Sequence, residues 1–479
     1  MKRALMALLV LGCAGCTVGP DYHRPVANVP THYKELAGWT IASPQDAATA
    51  RGEWWRIYDD PQLNNFESQV VVSNQTIKEY EAQYRAAIAL VHQAQAGYFP
   101  TVGADAGVTR AASGSATSGR SRTSTEYTLE GSADWSPDLW GRIRREVESQ
   151  RAAAEVSAAD LANARLSAEA TLATDYIDLR AEDSLTKVLQ DTVDAYAAAL
   201  RIAENQYHAG TVSDADMVTA EAQLQSVKAQ LAGVAAQRAL YEHAIAMLTG
   251  HAPSEISVGF SPLPVAVPVL PPGLPSTLLQ RRPDIAAAER AMQEENALIG
   301  EAQAAYYPTI SLSALAGFAG NPLGSLFNVA NRVWSLGAAA DETLFEGGLR
   351  SAQVEQARAN YDGAVATYRQ TVLAAFQQVE DQLSSLRVYA GQAAAEAAAI
   401  RATSRAVAVA LNEYRAGTVP YTSVITEQEL LLSDQQSAVA IQQSRLVASV
   451  ALIEALGGGW NTSDLPPMNQ PATAAIVGP

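Results

Sequence analysis

Hydrophobic and polar positions along this chain follow two different periods, and the switch between them happens twice. From about Gln62 to Tyr98 the apolar positions Ile77, Tyr80, Tyr84, Ala87 and Val91 recur three or four apart, which predicts a helix. After Tyr98-Phe99-Pro100 the period drops to two: Val102, Ala104, Ala106 and Val108 share one side against Thr101, Asp105 and Thr109. A run of Ser, Gly, Thr and Arg over 111–124 predicts a loop. Alternation returns from Thr125 to Trp135, with Tyr127, Leu129, Ala133 and Trp135 on one side and Glu126, Thr128, Glu130, Ser132 and Asp134 on the other. This is the pattern of a β-hairpin over 101–135 with one apolar and one acidic face. Its strands have ~10 residues each, enough to cross a bilayer when tilted. Taken alone, the same pattern suits a half-buried hairpin in a soluble sheet.

Pro137-Asp138-Leu139-Trp140-Gly141 turns the chain back into a helical pattern. No proline occurs from Arg142 to His208, and Val193, Tyr196, Leu200 and Tyr207 mark an apolar stripe. Roughly 65 residues at ~1.5 Å each would span on the order of 100 Å. Globular helices are rarely a third as long, so the pattern predicts coiled-coil-like material or stacked helices with a hidden break. A further helix is expected from about Asp214 to Leu248.

The whole arrangement then repeats. Gln206-Tyr207-His208-Ala209-Gly210-Thr211-Val212 matches Glu413-Tyr414-Arg415-Ala416-Gly417-Thr418-Val419, an offset of 207 residues (Tyr207 to Tyr414). Each match lies between long helical patterns and predicts a sharp turn, with Gly at the helix stop free to take the left-handed conformation. Tyr98-Phe99-Pro100-Thr101 likewise matches Tyr306-Tyr307-Pro308-Thr309. Alternation follows through Ile310, Leu312, Ala314, Ala316 and Phe318, and again through Trp334, Leu336, Ala338 and Ala340. Leu344-Phe345-Glu346-Gly347-Gly348 answers Leu139-Trp140-Gly141 with a slip. The expected organisation is a signal peptide over 1–15, an extended proline-containing arm over 16–61 and a first repeat over 62–250 with its hairpin at 101–135. A proline-rich crossover over 251–280, a second repeat over 281–457 with its hairpin at 309–345, and a flexible tail over 458–479 follow. Trp54-Trp55 with Tyr58 is expected to pin the arm against the body.

The hairpins fall at one end of the long helices and the Gly turns at the other. One chain therefore offers four bilayer-length strands. An open sheet cannot persist in lipid, because its edge N–H and C=O groups would go unpaired at several kcal/mol each. Four strands cannot close on themselves, since small barrels need ~8. Chains must share a barrel: two would supply eight strands, three would supply twelve with a lumen, and the acidic alternate faces favour the larger assembly.

Composition narrows the function. The chain has 479 residues, 48% hydrophobic but only 17% charged, with a formal net charge of -17. That balance argues against a nucleic-acid partner, which needs a basic face. Both cysteines, Cys13 and Cys16, lie at the start, so the body has no disulfide and no thiolate metal site. Lys2 and Arg3 followed by the short apolar run Ala4–Leu11 read as an export signal, too short to span a membrane. Gly12-Cys13 and Gly15-Cys16 resemble lipoprotein processing sites; Val10-Leu11-Gly12 suits cleavage before Cys13 better than Cys13-Ala14-Gly15 suits it before Cys16. A plain secretory signal with incidental cysteines is the alternative. Thr17, not acidic, fits sorting to the outer membrane. The six histidines show no ligand spacing, and no nucleophile elbow or phosphate-cradling loop is present. Neither an enzyme nor a cofactor is expected. Arg281-Arg282-Pro283-Asp284 reads as a helix entry, with Pro283 in the first turn and Asp284 on the dipole, rather than as an anion site.

Several motifs in order carry a resemblance over nearly the whole chain: Cys16 with Gly19-Pro20-Asp21-Tyr22-His23-Arg24-Pro25, Arg281-Arg282-Pro283-Asp284-Ile285, Tyr306-Tyr307-Pro308, and the two Tyr-x-x-Gly-Thr-Val turns. They resemble the outer-membrane factor family, the TolC/OprM-like channels of bacterial efflux and secretion. The resemblance implies a mainly helical fold with a membrane β-barrel part: a homotrimer with a shared twelve-stranded barrel and a periplasmic helical tunnel. It implies a passive conduit in the outer membrane, lipidated at Cys16, that serves an inner-membrane transporter and a periplasmic adaptor. The adaptor would dock at Gly210, Thr211, Val212, Gly417, Thr418 and Val419. Family members often place an aspartate ring just after the second turn; here Ser423 and Thr426 stand at those positions. Asp214, Asp216, Glu427 or Glu429 are the candidate substitutes for the constriction, although Asp214 and Asp216 also suit a helix start by complementing its dipole. The rival reading is a periplasmic lipoprotein scaffold or pump adaptor without a channel.

Overall fold

The computed structural model describes residues 17–26, 29–35, 52–114, 121–264, 266–268 and 277–465. The signal peptide, Cys13 and Cys16 lie outside the described residues, as does the end of the chain from 466.

Each half is built from the same parts. In the first, α1 (Pro61–Ser73) and α2 (Gln75–Ala96) lead into strands β1 (Thr101–Gly114) and β2 (Ser121–Trp135). Helices α3 (Arg142–His208) and α4 (Asp214–Leu248) follow. In the second, α5 (Pro283–Ala304) leads into β3 (Thr309–Gly320) and β4 (Arg332–Asp341), then α6 (Leu349–Arg415) and α7 (Tyr421–Ala455). In the long helices the duplication holds to the residue: α3 and α6 are each 67 residues long, and α4 and α7 are each 35. No break interrupts α3 or α6, so each is about 100 Å of continuous helix. Alanine-rich flanks let such helices run side by side, and Ala152, Ala154, Ala159 and Ala173 of α3 are all buried.

The helix expected over 62–98 is two helices. Asn74 takes an extended conformation, accepts the Ile77 amide on its side chain and caps α2. Its Nδ2 donates to the Leu248 carbonyl at 2.9 Å, so the break is set by a tertiary contact with the end of α4. No Pro or Gly marks it in the sequence. The entry to α5 is as expected: Pro283 opens the helix, and Arg282 is closed over by Asp284, Gln378 and the Ala455 carbonyl. With its guanidinium so engaged, Arg282 ties the end of α7 to the start of α5.

The largest core cluster sits midway along α3 and α6, where α4 and α7 end. Trp54 and Trp55 are buried there, Trp54 Nε1 donates to Glu169 at 3.0 Å, and the Tyr58 hydroxyl meets Ser449 Oγ at 2.7 Å. Asp183, fully buried, accepts from Arg180 Nη1 at 2.9 Å, Arg238 Nε at 2.6 Å and the Ser261 amide at 3.0 Å, joining α3, α4 and the crossover. Residues 458–465, expected within a flexible tail, pack instead. Trp460 and Leu465 lie on Ala159 and Ala286, and Gly457 sits so close to the Arg281 carbonyl that no side chain would fit.

The described start of the arm, residues 17–26 and 29–35, lies along the body without regular secondary structure. Val18 donates its amide to the Trp140 carbonyl at 3.1 Å, and Arg145 holds the carbonyls of Val18 and Gly19. A Cβ on Gly19 would lie 2.3 Å from Gly300 Cα, so only glycine allows the two backbones to meet. Further on, Arg24 donates to the Tyr368 hydroxyl, and Glu380 accepts the amides of Lys34 and Glu35.

Candidate functional site: the two-faced sheet and the helical turns

The four strands form one antiparallel sheet in the order β1-β2-β3-β4. The register makes the alternation of each strand coincide with that of its neighbour. Leu129 lies opposite Ala106 and Phe318, Ala133 opposite Val102 and Ala314, and Ala314 opposite Leu336. One face is thereby apolar across all four strands, although Val102, Trp334 and Leu336 are each about three-quarters exposed in the single chain, at 76%, 75% and 76%. On the other face Asp105 lies opposite Glu130, Thr109 opposite Glu126 and Thr101 opposite Asp134, with Ser311, Ser313 and Ser335 beyond them.

The strands differ from expectation at their ends. β1 and β2 have 14 and 15 residues, because the ladder continues through the polar stretch expected as a loop. Backbone pairing needs no apolar side chain there. β4 stops at Asp341, short of the expected 345. Arg350 takes over: its guanidinium binds Glu342, Glu346 and the Thr343 carbonyl and bends the chain into α6.

An aromatic girdle marks the end of the sheet nearest the helices. Trp135 Nε1 donates to the Tyr98 carbonyl at 3.1 Å, and Trp140 Nε1 to the Pro308 carbonyl at 2.8 Å. Aromatic rings with one polar edge are what a membrane–water boundary selects.

At the far end of the helices the two Gly turns have one geometry. Gly210 and Gly417 have φ of +72° and +73°. The Thr211 amide and hydroxyl both donate to the Gln206 carbonyl at 2.9 Å; those of Thr418 donate to the Glu413 carbonyl at 3.0 and 2.9 Å. Val212 and Val419 pack on the small core that closes the tip, with Ala203, Ala220, Tyr414, Tyr421 and Val424. The Gly-Thr-Val motif is thus accounted for as a helix stop. Its local fold holds the six turn residues at one end of the molecule.

Asp214 and Asp216 occupy the first turn of α4, the former exposed and the latter partly so. Ser423, Thr426 and Glu427 lie three and four apart on one side of α7, none fully buried. All five therefore sit within two turns of the tips. Glu429 is exposed in the next turn. Two neighbours went unremarked in the sequence. Tyr414 and Tyr421 are buried ring against ring, and Gln206 Nε2 donates to the Tyr414 carbonyl at 3.4 Å, joining the first turn to the second. Burial, and secondarily the Asp216 charge, push the Tyr414 hydroxyl above its ordinary range. The motif contains Tyr414, but nothing in its spacing announces Tyr421 as its partner.

A sheet apolar on one face and polar on the other, on helices of this length, defines a membrane-inserted conduit with a long helical extension. The family description "Outer membrane efflux protein" matches residues 68–251 and 274–458. The solvent efflux pump outer membrane protein SrpC of Pseudomonas putida is 30% identical over 477 residues, covering 96% of this chain and 98% of its own. The cation efflux system protein CusC of Escherichia coli is 25% identical over 470 residues. Among solved structures, the outer-membrane channel OprN superposes with a TM-score of 0.87 at 30% identity, covering 93% of this chain and 100% of that one. The open state of the Neisseria gonorrhoeae MtrE outer membrane channel gives 0.81 at 26% identity. The chain belongs to the outer membrane efflux protein family. It is the outer-membrane channel component of an efflux pump, a transport protein and not an enzyme.

Proposed function

We propose that three copies of this chain close a twelve-stranded barrel and continue it as a helical tunnel toward the inner membrane. The observation that carries this reading is the sheet: among the described residues its outer strands β1 and β4 each have a neighbour on one side only. Unpaired backbone groups are too costly to leave in hydrocarbon, and a polar inner face suits a wet lumen rather than the filled interior of an eight-stranded barrel. Transport is passive conduction through that lumen. A periplasmic adaptor docks at Gly210, Thr211, Val212, Gly417, Thr418 and Val419, and an inner-membrane transporter supplies the substrate. Asp214, Asp216, Ser423, Thr426 and Glu427 line the constriction at the same end.

The anchor is an acylated Cys16. Thr17 packs so tightly under Gly141 that a Cβ there would approach Thr17 Cγ2 to 2.8 Å, and Gly141 follows the girdle residue Trp140. This supports attachment beside the membrane boundary, one residue or ~3.8 Å away. Cys16→Ser is expected to abolish lipid labelling of the mature chain while Cys13→Ser leaves it; the reverse result would move the anchor.

The channel itself is tested in planar bilayers. Purified protein is expected to give discrete conductance steps and to elute as a trimer in detergent. Correctly folded protein that stays monomeric and leaves bilayers silent would favour the scaffold reading.

A further inference from the structure

The internal duplication lets a contact within one chain stand as the template for a contact between chains. Within the chain, the first half meets the second along β2 and β3, and Trp135 lies opposite Leu312 at the end of that ladder. Continued past the strand ends, the same register brings Trp140 opposite Tyr307. The two rings do stack there, with centroids 4.9 Å apart and planes at 24°. This seals the base of the sheet where β2 passes into α3.

In the proposed ring, the second half of one chain meets the first half of the next along β4 and β1. The counterpart of Tyr307 is Phe99, since Tyr98-Phe99-Pro100 repeats as Tyr306-Tyr307-Pro308. Counted back from the helix starts Arg142 and Leu349, the position of Trp140 falls on Gly347, which has no side chain. Phe99 is 70% exposed in the single chain. Two residues before Gly347, on the same free edge, Phe345 is 89% exposed and Leu344 is 94% exposed. The loop that presents them is braced. Glu346 accepts the Arg350 amide at 3.0 Å, and the Arg350 side chain grips both Glu342 and Glu346. Phe345 is therefore held outward by a fixed loop.

We propose that Phe345, with Leu344, packs on Phe99 of the neighbouring copy and forms an inter-chain aromatic clamp at the base of the barrel. A residue two positions off the direct pair on a neighbouring strand is still within reach of an aromatic ring. Three such clamps would alternate round the rim with three Trp140–Tyr307 stacks, and every seam would be closed at its foot. The occupant is a second copy of this chain because the apolar pair continues the two unpaired strand edges that meet there. The inference rests on the trimer proposed above.

The test is a paired-cysteine cross-link in membranes. Beyond Cys16 the chain has no other cysteine, so Phe99→Cys and Phe345→Cys supply the only thiols in the body. The double variant is expected to yield covalent dimers and trimers on mild oxidation, and either single variant neither. A second reading uses the native assembly: Phe345→Ala should release monomers at a lower temperature than the parent, with Phe345→Trp restoring resistance. A trimer that gives no cross-link in the double variant, with Phe345→Cys instead modified by a lipid-confined thiol reagent, would overturn the clamp and leave the trimer standing. A chain that is monomeric in its native membrane would overturn both.

Discussion

Tyr414 and Tyr421 flank the second helical turn and meet beneath it, ring centroids 5.1 Å apart at 55°. Both are buried, and neither hydroxyl has a hydrogen-bond partner among the described residues. The contact is therefore one of shape. Tyr421→Ala should remove ~3–5 kcal/mol of packing, and hydrogen exchange across 414–424 should speed up while α3 stays protected. Tyr421→Phe should alter stability by less than ~1 kcal/mol, since it deletes an unpaired group. An alanine variant with parental exchange at the turn would show that the ring pair does not hold the tip.

Glu67 should make stability depend on pH. It is fully buried, its two carboxylate oxygens have no partner among the described residues, and burial together with the Glu169 charge raises its pKa to about 10. Glu169 itself is pushed up to about 7 by burial, against the pull of the Trp54 hydrogen bond and Arg165. A carboxyl raised in the folded state binds its proton there while the unfolded chain has lost it. Its contribution is therefore fully present below the unfolded value and declines as pH rises toward the folded one, at no more than ~1.4 kcal/mol per pH unit. Glu67→Gln is expected to unfold at a higher temperature than the parent, with the larger gain at pH 8 than at pH 5. Equal gains at the two values would refute the linkage.

Asp183 gathers Arg180, Arg238 and the Ser261 amide in the interior. Removing the carboxylate leaves the Arg180 charge, whose side chain is only 4% exposed, with the neutral partners Gln62, Tyr176 and the Gly259 carbonyl. Asp183→Ala should cost ~3–5 kcal/mol and shorten the half-life at elevated temperature, with Asp183→Asn intermediate. Conductance of the folded fraction should be unchanged, because none of these groups lies on the sheet or at the tips.

The polar face of the sheet places Asp105 directly opposite Glu130. Like charges in that position weaken a sheet slightly; in the proposed barrel they would face the lumen and favour cations. Asp105→Asn with Glu130→Gln should shift the reversal potential in a salt gradient toward that of a non-selective pore, with assembly intact. An unmoved reversal potential would locate selectivity elsewhere.

Legibility in the sequence followed the range of the interaction. The hairpins were readable because alternation in Thr101–Val108 and Thr125–Trp135 is a local consequence of one wet and one apolar face. The ends of α4 at Asp214 and Leu248 were readable because a helix start and a Gly stop act within a few residues. Asn74 was not, since its break depends on a carbonyl 174 residues away. Residues 458–465 were not either, since glycine and proline content says nothing of the surface waiting for Trp460.

Periodicity and repetition alone were enough to give the duplicated plan and the four strands with their two faces, and to raise the expectation that further copies cover the free edges. Each of these follows from spacing along the chain or from what a backbone requires in lipid. Only the folded chain decided that the alternations coincide across all four strands, that Trp140 is already satisfied by Tyr307 while Phe345 is not, and that Tyr421 is the partner of Tyr414. Those facts depend on register and on contacts between distant residues, and no local pattern encodes which side chain will be waiting when the two halves come together.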